Sequence, residues 1–172
     1  VEAVEDDPGP PGPRVPATCE ATAKTAVVLV NGFNGLGLHT VLAVTRMFPG
    51  VFRNFVFVQV GVVDAGNFKG AGEIANLERH IESEVHRYVD YMRKQGFYAE
   101  ALTEISTDVV ESAADLVAGV AQRFPNTVVF GGQLVFQKES RITRLLHNFA
   151  VFAMQREFFR KGIPFLILPI RV

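Results

Sequence analysis

Three glycines, Gly32, Gly35 and Gly37, follow an apolar run from Ala26 to Val30 and precede a helix-like pattern. Amides left open at a helix start form an anion site, with about +0.5 of an elementary charge from the aligned peptide dipoles. The spacing is neither G-x-G-x-x-G nor a Walker A loop, because no Lys-Ser/Thr pair follows. Two readings stay open, a tight turn with close packing and a ligand contact. His147 and Asn148 interrupt an otherwise apolar stretch; the plain reading is a hydrogen-bonded histidine in the core or at a crevice edge. His80 with Glu84, and Glu82 with His86, stand four apart and could each offer two metal ligands. A third ligand is missing, and pairing along a helix surface explains both. His39 has no acid or nucleophile nearby in the sequence, and Asp64 reads as a loop carboxylate. Ser83, Ser106, Ser112 and Ser140 lie in no G-x-S-x-G context, and H-E-x-x-H is absent. These patterns do not argue for catalysis.

The chain that must position these residues has 172 of them, 48% hydrophobic and 20% charged, enough for one domain with a real core. Fifteen phenylalanines and no tryptophan make that core largely Phe, Val and Leu. A net charge of −1 with interspersed signs argues against a nucleic-acid binder. Cys19 is the single cysteine, which excludes an internal disulfide and a cysteine-based metal site. No apolar run approaches the roughly 18 residues needed to cross a bilayer, and the acidic N-terminus is unlike a signal peptide.

Hydrophobic periodicity predicts alternating elements. Strands are expected at Ala26 to Val30, Asn54 to Val63, Tyr98 to Ile105, Thr127 to Gly131 or Val135, and Pro164 to Val172. Helices are expected at Leu36 to Phe48, Glu73 to Gln95, from a cap at Thr107 or Asp108 to Phe124, and, capped by Thr143, at Arg144 to Arg160. In the second helix Ile74, Leu77, Ile81, Val85, Tyr88 and Met92 form one apolar stripe. The pattern βαβαβαβαβ predicts an α/β fold, a five-stranded parallel sheet with helices on both faces. Proline cannot donate to a ladder, so Pro169 predicts that the last strand is an edge strand; the mixed third strand reads as a weaker edge.

Residues 1–23 differ from the rest. EDDPGPPGPRVP holds five of the nine prolines, and such a stretch stays extended and joins no core. It reads as a linker or tail to a domain over residues 24–172. With Val1 in the place of a methionine, it suggests a chain cut from something longer; a plain N-terminal tail is the alternative.

The domain resembles the universal stress protein fold. The likeness rests on V-N-G-F-N at 30–34, V-F-G-G at 129–132, R-L-L at 144–146 and P-F-L-I-L-P-I at 164–170. It is more similar still to soluble C-terminal domains of bacterial amino acid–polyamine–organocation permeases. That likeness is carried by T-A-V-V-L-V-N-G-F-N-G-L-G-L-H-T from Thr25 and R-L-L-H-N-F-A-V-F-A-M-Q from Arg144.

The resemblance implies a crevice between strands one and four, lined by Asn31, Gly32, Phe33 and Asn34 on one side and Gly131, Gly132 and Gln133 on the other. Lys138 and Arg141 could reach an anion there, or form a solvated polar loop. Nucleotide-binding members end strand one on an aspartate, where this chain has Asn31. They also carry a spaced glycine signature after strand four, where this chain has adjacent Gly131 and Gly132 and then His147, Asn148 and Phe149. The implied function is a non-catalytic, cofactor-free regulatory or assembly domain on the cytoplasmic face of the inner membrane. It would be joined to the membrane domain of the same polypeptide and dimerise through the edge at Pro164 to Val172. The alternative is a sensor that binds an adenine nucleotide or cyclic dinucleotide.

Overall fold

The computed structural model describes residues 17–63, 66, 70–134 and 141–170, with the backbone alone at 133, 134 and 141–150. Most of the Pro-rich segment, residues 1–16, lies outside the described residues, as do Asp64, Lys138, Ser140, Arg171 and Val172. The elements run β1 (Thr25–Leu29), α1 (Gly35–Met47), β2 (Asn54–Val62), α2 (Ala71–Lys94), β3 (Tyr98–Ser106), α3 (Val109–Arg123), β4 (Thr127–Leu134), α4 (Arg141–Arg160) and β5 (Phe165–Ile170).

The five strands form one parallel sheet in the order β3-β2-β1-β4-β5. This is the α/β architecture that the periodicity predicts. Central β1 is the short, continuously apolar run, because both of its faces are covered. Ala26 and Val28 face α1 and α2, in a cluster with Phe55, Phe57, Val85, Tyr88, Met92 and Phe130. Val27 and Leu29 face α3 and α4, with Val56, Val117, Val120, Phe124 and Phe158. Phe48, Phe52 and Phe130 meet in this layer with ring centroids 5.4–5.8 Å apart.

β5 and β3 are the two edges. Val129 N–H donates to Pro164 O at 2.8 Å, and Val129 pairs with Phe165. In a parallel ladder this turns the even-numbered residues of β5 toward β4 and the odd-numbered ones outward. Pro169 therefore lacks its N–H on the open side, where no ladder bond is lost.

Two details differ from the sequence reading or sharpen it. Asp108, not Thr107, caps α3, accepting from Val110 N and Glu111 N at 3.0 Å each. Helix α4 begins at Arg141, so Thr143 lies inside its first turn and not at the cap. No proline or glycine stands between Gln137 and Lys161 to stop the helix from starting earlier. At the opposite end of the sheet, the residues entering β1 are tied down. Asn54 Nδ2 donates to Glu20 O at 2.8 Å, and Asn126 Nδ2 donates to Thr22 O at 2.7 Å.

Candidate functional site

The chain leaves β1 for α1 on one face and leaves β4 for α4 on the other. The carboxyl ends of these neighbouring strands are thus the switch point at which open α/β sheets bind ligands. Asn31, Gly32, Phe33 and Asn34 lie at that end of β1, and Gly131, Gly132 and Gln133 at that end of β4; Leu29 pairs with Gly131. Only the backbone of Gln133 is described, paired with Pro169. Arg141 is the first residue of α4, and His147 and Asn148 lie in its first half, their side chains outside the description.

The β1–α1 turn is closed by its own side chains. Gly32 takes a φ of +74°, open to glycine at little cost. Asn34 is the N-cap of α1: its Oδ1 accepts from Gly37 N at 3.0 Å and its Nδ2 donates to Asn31 O at 2.7 Å. From the side comes Tyr88 of α2, fully buried and stacked on Phe57 with centroids 5.2 Å apart. Its hydroxyl donates to Gly32 O at 2.9 Å and accepts from Asn34 N at 3.3 Å. Burial raises its pKa above the usual tyrosine value, so it stays a protonated donor. Phe33 packs on Tyr88, and the Arg87 guanidinium stands 3.8 Å over the Phe33 ring.

Gly37, Gly131 and Gly132 each have a neighbour that a larger residue would strike, whereas a Cβ on Gly35 would meet nothing within 4 Å. A Cβ on Gly37 would collide with the Tyr88 hydroxyl and lie 2.7 Å from Cζ. One on Gly132 would collide with Thr40 Oγ1 and lie 3.1 Å from Leu36 Cδ1, both on α1. One on Gly131 would come within 3.0 Å of the Phe165 ring on β5. Packing of α1, α2 and β5 thus uses Gly37, Gly131 and Gly132, and the packing reading accounts for these three without a ligand.

The electrostatics point the same way. Glu84 Oε2 lies 3.2 Å from where a Cβ on Gly32 would stand, and His80 Nε2 lies 3.5 Å from that oxygen. A phosphate laid on the turn would face this half-buried carboxylate, whose one ion-pair partner among the described residues is an exposed histidine, although the Arg87 guanidinium over Phe33 adds a positive charge beside it. His86 turns its Nδ1 to Glu82 O at 2.7 Å, so this pair is a backbone contact. His39 is exposed on α1. Among the described residues no three His, Cys, Asp or Glu side chains come close enough to hold a metal ion.

Sequence reasoning counted Tyr88 as one residue of an apolar stripe and Glu84 as a surface pair. A tyrosine in such a stripe is itself a signal, since a buried hydroxyl needs a partner. It also passed over Gln59 on β2. This residue is 3% exposed, lies on the same sheet face as Phe55 and Phe57, and its Oε1 has no hydrogen-bond partner among the described residues. An orphaned buried acceptor costs about 1–3 kcal/mol. Replacing Gln59 by methionine, of similar length, is expected to stabilise the fold by about 1 kcal/mol, seen as a higher urea midpoint at unchanged m-value. A lower midpoint would mean that the carbonyl has a donor in solution.

Compared with protein-family models and with curated proteins, the sequence found no match in either.

Proposed function

We propose that this chain is a non-catalytic regulatory or assembly domain of a bacterial amino acid–polyamine–organocation permease, held at the cytoplasmic face of the inner membrane and self-associating through the edge of β5. The observation that favours this reading over a nucleotide sensor is the packed turn at the switch point. Tyr88 and Asn34 take up two of the amides that a phosphate would use, Asn34 N and Gly37 N, and Glu84 places a carboxylate beside them. The permease assignment draws on the motifs at 25–40 and 144–155. Among the described residues no helix is long and apolar enough to cross a membrane, so the transport path would belong to other parts of the polypeptide.

The edge geometry supports self-association. Across a two-fold axis at Ile167, antiparallel pairing of two β5 strands keeps both Ile167 bonds and the bonds from each Phe165 N–H to the partner's Pro169 O. Only the two donors that proline lacks are forfeited.

Two measurements test the proposal. ATP, ADP and cyclic dinucleotides are expected to leave Tm unchanged. A ligand at 100 times its Kd would add about 2.7 kcal/mol, or roughly 5–10 °C for a domain of this size. Such a shift would favour the nucleotide-sensor reading. The reading frame upstream of Val1 is expected to encode apolar spans of about 20 residues; a frame without them would remove the permease assignment.

A further inference from the structure

Among the described residues four large hydrophobic side chains are well exposed, and two of them, Phe152 at 53% and Phe159 at 83%, lie on α4. They stand seven apart, so they share one stripe of the helix, about 10 Å apart along its axis. Phe158, about 100–120° round the helix from both rings, is fully buried, so the helix packs on the sheet beside the stripe and leaves the stripe in the open. Exposed Arg156 lies between the two rings, and Arg160 continues the same side. Arg160 has Glu157 at 3.4 Å, whereas Arg156 has no ion-pair partner among the described residues.

The helix carries Arg141, Arg144, Arg156 and Arg160 against Glu157 alone, in a chain whose net charge is −1; Lys161, just after it, pairs with Asp115 of α3 at 3.2 Å. Positive charge is therefore concentrated on the one helix that also exposes two aromatic rings. We infer that the outer face of α4, through Phe152, Arg156, Phe159 and Arg160, docks on an anionic lipid surface. The rings would enter the headgroup layer while the guanidinium groups stay at phosphate level, the division of labour of interfacial amphipathic helices.

The charge pattern favours this occupant over two others. An apolar protein groove would take the rings but would bury Arg156 between them without a counter-charge. A second copy docked on the same face across a two-fold axis would set Arg156 against its own image. The inference stands apart from the permease reading, since a free domain would bind the same surface.

The test is co-sedimentation of the full 172-residue chain with vesicles of phosphatidylglycerol and phosphatidylcholine in equal parts, and with phosphatidylcholine alone. Binding is expected to the anionic vesicles, weakening as salt rises from low to physiological strength. Phe159→Ser and Arg156→Glu are each expected to weaken it about tenfold. Both sites are exposed, so circular dichroism and Tm should match the wild type. The inference is overturned by absent binding, by equal binding to neutral vesicles, or by variants that bind as well as the wild type. It is also overturned if Phe159→Ser turns a dimer into a monomer, because the face would then be a contact between copies.

Discussion

Gly37→Ala is expected to destabilise the domain by about 3 kcal/mol, which at this chain length lowers Tm by roughly 6–12 °C. Helix propensity alone predicts the reverse, since alanine in a helix is worth about 1 kcal/mol more than glycine. The sign is set by Tyr88. The new methyl would overlap its hydroxyl and lie 2.7 Å from Cζ, and the ring has nowhere to go. It is fully buried, stacked on Phe57 and against Phe33, and tied by its hydroxyl to Gly32 and Asn34. Making room costs those two hydrogen bonds, about 1 kcal/mol each, and strains the packing of α2. Tyr88→Phe removes the nearest clashing atom, so Gly37→Ala should cost at least about 1 kcal/mol less in that background than in the wild type. Denaturant titration of the two single variants and the double variant measures this coupling. A neutral or stabilising Gly37→Ala would mean that Tyr88 does not hold the turn in solution, and the glycine would need a ligand to account for it.

That contact also marks where reading the sequence stops. The elements were legible because each ends on a local signal: Pro49-Gly50 after α1, Gly96 after α2, Gly162 after α4. Pro169 and the mixed composition of β3 put those strands at the edges, since a missing donor and a half-polar strand are tolerated only there. The start of α4 offers only Thr143 as a cap residue, which points two residues past the true first residue, Arg141. At the site, the glycines could be seen to make a turn but not what the turn touches. Periodicity tells which face of α2 is buried; it does not tell that Tyr88 meets the cap of α1, because that depends on strand order and crossover geometry. Gln59 escaped for a related reason. In an apolar strand one glutamine suggests an outward position, but β2 is covered on both faces, with Phe57 buried on one and Val58 on the other, so neither parity is outward.

Gly132→Ala tests the other wall of the crevice, with an expected cost of about 2–3 kcal/mol. In a strand interior alanine should be favoured over glycine by about 0.5–1 kcal/mol, so again a neighbour decides the sign. The neighbour is Thr40, 1% exposed on α1, whose Oγ1 donates to Leu36 O at 2.7 Å. Its branched side chain cannot turn aside without breaking that bond and striking the helix, so α1 itself must lift from β4. Thr40→Ala deletes the colliding atom, and the double variant is expected to recover most of the loss. Gly131→Ala is the control beside it. Its new methyl would meet the tip of the Phe165 ring at 3.0 Å, and that ring belongs to the edge strand, where a small shift is cheaper. A cost of about 1 kcal/mol is expected there, less than at Gly132. A phosphate-binding pair of glycines would behave differently: both substitutions would leave urea stability near the wild type and weaken nucleotide binding. An ordering with Gly132→Ala the more costly, and with Thr40→Ala as its suppressor, assigns the pair to helix packing.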